Sequence, residues 1–465
     1  MKKQTYLEFI QTLLPEEEFS LFKEFYQARI PKSIKIINSR INKEDFTNIL
    51  KNLNWTLSYP DISDNGKPYD DVLFVSKEDK NGLWSSFLHE AWMFYVQEIA
   101  AGLSAQVLPL RKWDIVLDLC AAPWWKSIQL ADRLFNLWGW FLFANEPLSP
   151  RRKALIFNLN RCWFYNTAIT AYDWTQIWEL APEIFDKVLV DAPCSWEWMQ
   201  YKSDKNVTYR DPKAAEKLAS LQKKLLISGL KALKVWWELV YSTCTLNPFE
   251  NEGVLKEVLE SYPSQIELLN VPIDQKSKWN EQFLSKEDSE KVARFWPHIQ
   301  RTWWFFIAKI KKTKSISYNK QIDKRAELFN LNDSSEIQKR VRNELGKNRW
   351  ILENKNFKFY ASSQAIYCTS HYFCKTPLFI EKLWIPIFKY WHNNEFIPQQ
   401  GLATCLWDYA KKNTVALTVP EFQSLFQSTQ LPWKFWDNWV FLLTKLWGKG
   451  IFLTKQVNEQ LKLKS

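Results

Sequence analysis

Between about residues 86 and 310 the chain alternates short continuous apolar runs with stretches of helical period. The runs "DIVLDLC", "FLFANE", "KVLVDAP", "ELVYSTC" and "FFIAKI" are six or seven residues of mostly apolar text bounded by turn signals. That is the pattern of strands buried on both faces. With helical segments between them they predict βαβ units: an α/β fold, a mainly parallel sheet and helices on both sides. Ligands of such sheets bind beyond the carboxyl ends of the strands. The residues able to do chemistry fall at that edge.

The flanking regions read differently. Residues 1–85 mix amphipathic helical stretches, "LEFIQTLL" and "EEFSLFKEFY", with a strand-like "KSIKIINS" and close on the turn-rich "SYPDISDNGKPYDD". They predict an N-terminal α+β domain, followed by an α/β domain over 86–310. After "AKIKKTKSISYNKQIDKR", a polar and basic connector, the short apolar segments "FKFYASSQAIYC", "PIFKYW" and "TVALTVP" predict a linker over 311–345 and a small β-containing module over 346–465. A chain of 465 residues exceeds one ordinary core, in keeping with several domains.

Charge and cysteine usage narrow the class. A net charge of +11 points to a polyanionic partner such as nucleic acid. Seven cysteines, an odd number without regular close spacing, suit reduced thiols in a cytoplasm and not a disulfide framework. His89, His298, His371 and His392 lie far apart, so no metal site is expected. The start "MKKQTYLEFIQTLLPEEE" turns acidic before any adequate apolar segment, and no run approaches the ~18 apolar residues of a membrane span. A cytoplasmic monomer is the expectation.

Composition holds one anomaly. Glycine is about 7 % of an average chain, or roughly 33 residues here, yet the sequence has 10 Gly and 27 Trp. Trp92, Trp113, Trp174, Trp196, Trp198 and the pairs Trp124/Trp125, Trp236/Trp237 and Trp303/Trp304 fall mostly at the ends of predicted elements. Those are turn positions, where absence of a Cβ permits a positive φ and close backbone approach. Many of these tryptophans are therefore read as standing where the protein carries glycine, through a UGA codon that its source translates as glycine. The Lys-, Asn- and Ile-rich text fits an AT-rich genome.

Read with glycine at 124 and 125, "DLCAAPWWKS" becomes a strand-to-helix loop whose bare backbone can approach a ligand while the helix N-terminus offers free N–H groups. Glu146 ends the next strand, placed to accept hydrogen bonds from a ribose diol, and Asp173 in "TAYDW" stands near the end of a third. A loop with two strand-end acids suits an adenosine-type cofactor. "VLVDAPCS" adds Asp191 and Cys194, and "LVYSTCTLNPFENE" adds Cys244. Two thiols beside a carboxylate at one sheet edge suit covalent catalysis. Cys120, Cys162, Cys368, Cys374 and Cys405 are read as inert small hydrophobes.

These stretches resemble the RNA (cytosine-5-)-methyltransferases, within them the bacterial RsmF type. "HEAWMFYVQE", "DLCAAPWWKS", "ANE", "NLNRCWFYN", "DAPCSWEWM", "LQKKLL", "VWWELVYSTCTLNPFENE" and "RTWWFFIAKI" occur in the family's order, each taking the usual form when tryptophan is replaced by glycine. The likeness covers about 30–310. It implies a Rossmann-like S-adenosylmethionine-dependent methyltransferase sheet, an N-terminal RNA-binding domain and a C-terminal PUA-like RNA-binding module. It also implies methylation of cytosine C5 in RNA, most naturally 16S ribosomal RNA or the small ribosomal subunit, with tRNA as the alternative substrate. Cys120, Ala121, Ala122, Pro123, Trp124, Trp125, Lys126, Glu146, Asp173 and Asp191 match positions that bind S-adenosylmethionine. Cys244 matches the nucleophile that adds to C6, Cys194 the thiol that aids product release, and Asp191 sits where it can hydrogen-bond the base. If Trp124 and Trp125 were genuine, an indole would fill the cofactor loop and a non-catalytic RNA-binding assembly factor would be the better reading.

Overall fold

The computed structural model describes residues 5–316, apart from 196–211 and several shorter stretches, and beyond 316 only strands and isolated positions. Four of the five apolar runs become parallel strands, Ile115–Asp118, Phe141–Asn145, Phe185–Asp191 and Leu233–Thr243; Thr167–Thr170, the third strand expected before Asp173, completes a parallel set of five, and the run "FFIAKI" is antiparallel. Across the sheet Ile115–Asp118 lies between Phe141–Asn145 and Phe185–Asp191. The chain therefore winds outward from Ile115–Asp118 on one side and resumes on the other. That reversal leaves a crevice at the carboxyl ends of these two strands. The antiparallel strand Phe305–Lys312 extends the sheet beyond Leu233–Thr243 and in turn pairs with Ile266–Leu269 and Ala293–Phe295. The sheet is thus parallel at its centre and mixed at its margin.

Alternation along each strand explains why the runs are continuously apolar. Ile115 and Leu117 pack into one core while Val116 between them packs into another, and Phe141 and Phe143 are divided in the same way from Leu142 and Ala144. The helix Trp125–Asn136 covers one face through Ile128, Ala131 and Leu134, and Pro212–Ala232 covers the other through Leu225, Leu226 and Leu230. At Gly229 a Cβ would come within 2.8 Å of Leu239 and 2.9 Å of Val190, so the second helix needs a bare backbone to lie this close.

Backbone conformation bears on the tryptophan anomaly. Among the described residues seven non-glycine positions have positive φ, and four of them are tryptophans: Trp92 (57°), Trp113 (79°), Trp124 (147°) and Trp236 (72°). A bulky side chain seldom occupies this region, whereas glycine does so freely. The requirement does not extend to every suspected position. Trp125 opens a helix, Trp237 lies inside Leu233–Thr243, and Trp304 is 1 % exposed among Tyr6 and Phe22, all without positive φ. Trp196 and Trp198 lie outside the described residues.

The N-terminal region forms an antiparallel sheet of Trp55–Ser58, Val72–Lys77, Ser33–Ile36 and Phe94–Val96, with the helix Lys43–Asn52 against it. Its last strand carries this sheet past residue 85. The backbone N–H groups of Asn38 and Ser39 donate to the Asp132 carboxylate at 3.0 and 2.8 Å, and Arg40 donates to the Cys162 carbonyl, joining this unit to the central domain. The described strands beyond 346 make a four-stranded sheet from Phe357–Ala361 to Phe396–Pro398 and a five-stranded one from Thr414–Leu417 to Gln460–Leu463. Between strands of the first, Lys382–Leu383 leaves to pair antiparallel with Thr167–Thr170, so this region adds the far edge of the central sheet. No helix among the described residues is long and apolar enough to cross a membrane.

Candidate active site

Four strand ends build the site. Ile115–Asp118 ends in a carboxylate buried at 1 % exposure, whose Oδ2 accepts from Ser127 Oγ at 2.6 Å. Burial raises the Asp118 pKa to about 7, the Ser127 hydrogen bond opposing it. Its Oδ1 is buried without a hydrogen-bond partner. Ser127 also donates to the Ala121 carbonyl, which holds the Leu119–Trp124 loop against the helix that follows. Within this loop Cys120 is buried, and burial pushes its thiol well above the usual range. Cys120 is therefore a packed thiol, not a nucleophile.

The next strand contributes two side chains. Asn145, fully buried, donates to the Leu119 and Tyr172 carbonyls at 3.2 and 3.0 Å and accepts from Thr170 Oγ1 and the Tyr172 N–H, each at 2.9 Å. One amide thereby ties together the loops following three strands. Sequence reasoning passed over Asn145 because an amide beside an acidic residue carries no chemical signature; its position one residue before Glu146 was the available signal. Glu146 accepts from the Leu148 N–H at 2.9 Å through Oε1, while Oε2 is buried without a hydrogen-bond partner, 3.6 Å from Arg151 Nε. Burial raises its pKa, against the Leu148 hydrogen bond and the Arg151 charge. Arg151 also donates to the Ala122 carbonyl at 2.7 Å. Asp173 is different: it is exposed, and its Oδ1 accepts from the N–H and hydroxyl of Thr175, shaping the local turn.

The last two strand ends stand side by side, with Asp191 in register with Ser242. Asp191 accepts from Ser242 Oγ at 2.8 Å and pairs with Lys126 Nζ at 2.5 Å. Lys126 belongs to the first turn of the Trp125–Asn136 helix, so this helix and the end of Phe185–Asp191 meet at the ion pair. Three residues past Asp191 and two past Ser242, the sulfurs of Cys194 and Cys244 are 2.8 Å apart, the first buried and the second half-buried. The fold thus gathers Asp118, Lys126, Glu146, Asp191, Cys194 and Cys244 at one crevice and leaves Asp173 at its surface. The Trp124 and Trp125 rings lie edge to face, 5.7 Å apart, half-buried beside the loop.

Residues 105–311 match a family described as 16S rRNA methyltransferase RsmB/F. The chain is 32 % identical over 320 residues to ribosomal RNA small subunit methyltransferase F of Erwinia tasmaniensis, covering 67 % of this chain and 63 % of that protein. It is also 32 % identical over 318 residues to the protein of that description from Photobacterium profundum, covering 67 % and 64 %. The chain therefore spans slightly less than two thirds of the length of these relatives. Among solved structures, a methyltransferase homolog from Pyrococcus horikoshii superposes with a TM-score of 0.56 at 25 % identity, over 64 % of this chain and 92 % of its own. A structure described as NSun6 from Pyrococcus horikoshii with SFG shares the fold, with a TM-score of 0.55 at 21 % identity over 68 % and 99 %. Through residues 105–311, the chain is similar to the 16S rRNA methyltransferase RsmB/F family.

Proposed function

We propose that this protein transfers a methyl group from S-adenosylmethionine to C5 of a cytosine in small-subunit ribosomal RNA, through a covalent bond between Cys244 and C6. The observation that carries the reading is the pair of thiols 2.8 Å apart at adjacent parallel strand ends, beside the Asp191–Lys126 ion pair. Cytosine C5 is too weak a nucleophile to be alkylated unaided. Addition of the Cys244 thiolate to C6 raises electron density at C5; loss of the C5 proton after alkylation restores the ring and expels the thiol. Cys194, in contact with Cys244, is suited to assist that departure. The base must be unstacked to reach them.

The residues present fit the cofactor. Asp118 Oδ1 and Glu146 Oε2 are buried acceptors without hydrogen-bond partners at the ends of the two strands flanking the Leu119–Trp124 loop. Buried acceptors of this kind are costly unless a donor arrives. Glu146 would take a ribose diol, and the loop backbone and helix start would take the rest of the molecule. S-adenosylmethionine supplies an electrophilic methyl group when bound. The loop suits this task with glycine at 124, and we infer that the working protein carries glycine at 92, 113, 124 and 236, the tryptophans with positive φ. An intact mass of the native protein equal to 55.5 kDa would overturn that inference.

Bisulfite sequencing of purified small-subunit RNA and tRNA, each incubated with native protein and S-adenosylmethionine, tests the function. The expected result is one protected cytosine in the ribosomal RNA. Protection in tRNA alone would reassign the substrate, and none in either would remove the reaction.

A further inference from the structure

Both thiols lie beyond the ends of their strands, whose register closes at Asp191 and Ser242, and their sulfurs meet. The Cys194 loop and the Cys244 loop are joined through Glu250, in the π-helical turn Phe249–Gly253. Glu250 is fully buried. Its Oε2 accepts from the backbone N–H of Ser195, the residue after Cys194, at 3.0 Å, and from Gln222 Nε2 at 2.8 Å. The same Gln222 nitrogen donates to the carbonyl of Pro193, the residue before Cys194, at 2.9 Å. On the other side Glu250 Oε1 accepts from Asn247 Nδ2 at 3.3 Å, and the Asn247 N–H donates to Thr245 Oγ1, next to Cys244, at 3.0 Å. Ser195 Oγ donates to that Thr245 oxygen at 3.0 Å and completes the link.

One carboxylate therefore holds the residue after Cys194 directly, the residue before it through Gln222, and the residue after Cys244 through Asn247 and Thr245. Charge-assisted hydrogen bonds in a buried network are short and directional, so they fix relative positions where strand pairing has ended. We propose that Glu250 is the positioning residue that sets the Cys194–Cys244 spacing and thereby couples the making of the base adduct to its resolution. The inference rests on the methyl-transfer reading for its catalytic consequence, while the spacing itself is measurable without RNA.

Phenylarsine oxide, whose arsenic bridges two neighbouring thiols, reads that spacing directly. Wild-type protein should retain one arsenical per chain through Cys194 and Cys244. Glu250→Ala should weaken retention by about tenfold, Glu250→Asp should recover part of it, and S-adenosylmethionine affinity should stay near wild type although the melting temperature falls. With small-subunit RNA, Glu250→Gln should lower kcat by about tenfold and leave KM within about twofold. If Glu250→Ala does not fold, arsenical retention by Gln222→Leu reads the same link from its other end and should also fall. Unchanged retention in the variants that fold would overturn the proposal. So would loss of retention and cofactor binding in parallel, since that is what a general structural role produces. Retention that depends on Glu250 in a protein that methylates no RNA would instead refute the methyl-transfer reading and leave the spacing role standing.

Discussion

The two halves of the crevice are made by different means. On the side we propose for the cofactor, the loop after Ile115–Asp118 depends on what the backbone can do: Trp124 sits at φ 147° immediately before a helix, a conformation that a β-carbon opposes. On the thiol side, the shape comes from side chains. Glu250, Gln222, Asn247 and Thr245 brace the cysteine loops, and the Glu252–Arg294 pair, both residues fully buried, fastens the turn beneath through bonds of 2.5 and 2.6 Å and an Arg294 bond to the Leu246 carbonyl at 2.7 Å. A site shaped by backbone is damaged by adding atoms. A site shaped by buried polar side chains is damaged by removing them. The contrast makes the two halves separable by experiment.

The largest effect should follow removal on the thiol side. Arg294→Ala leaves Glu252 as an uncompensated buried charge and deprives the Leu246 carbonyl of its donor, so it should cost about 3–5 kcal/mol in denaturant unfolding. Burial already raises the Glu252 pKa, with Arg294 holding it down, and loss of the arginine removes that restraint. A cost below about 1 kcal/mol would mean that this buried pair contributes little to the thiol side.

Next in size is Cys244→Ala. It should lower turnover at least about 100-fold, or ~2.7 kcal/mol of barrier, because covalent addition is lost. Cofactor affinity, read by calorimetry, should be unchanged, since Cys244 does not belong to the loop after Ile115–Asp118. Cys194→Ala should instead allow addition and stall release, accumulating a denaturant-resistant protein–RNA adduct on gels. An adduct from Cys244→Ala and none from Cys194→Ala would reverse the two roles.

The same contrast explains what could be read from the chain. Four of the five parallel strands were legible because double-sided burial writes continuous apolar text, whereas the run "FFIAKI" did not disclose its antiparallel direction; Asp191, Cys194, Cys244 and Glu146 were legible because they follow those runs directly. Asn145 and Glu250 were not, since their work is to accept and donate among neighbours that only the fold brings together. Nor was Lys382–Leu383, a two-residue strand whose partner lies over 200 positions earlier and whose pairing is made by backbone. Phe94–Val96 joins the N-terminal sheet although it lies past residue 85, because it pairs with Ser33–Ile36. Asp173 carried the pattern of a strand-end acid, and the structure adds that its Oδ1 accepts from Thr175, three to five residues past the end of Thr167–Thr170. Of the doubled tryptophans, 124/125 stand where a loop becomes a helix and 236/237 lie inside Leu233–Thr243 and not in a turn, and only one of each of these pairs has the backbone of a glycine.

That last difference gives the smallest effect and the finest test, because two substitutions of the same kind should have opposite signs. Trp236 is 67 % exposed at φ 72°, in a stretch where Leu233 pairs with Phe185 and Glu238 already pairs with Lys187, so the chain between is bulged out. Replacing it by glycine relieves about 1–2 kcal/mol of left-handed strain. It forfeits a cation–π contact with Lys311 at 5.6 Å, which at an exposed site is worth about 0.5–1 kcal/mol. Relief exceeds loss, and Trp236→Gly should raise stability by about 1 kcal/mol. Trp125 has ordinary helical backbone in a first turn, so no strain is released there. Trp125→Gly loses half-buried ring contact with Trp124 and adds the entropic cost of glycine in a helix, about 0.5–1 kcal/mol. Its stability should fall by a similar small amount. Differential scanning calorimetry of the two variants, made in the chain with the tryptophans as written, would show one melting temperature rising and the other falling. If both rise, position 125 demands glycine for a reason other than its φ, and the loop after Ile115–Asp118 is constrained over two residues instead of one.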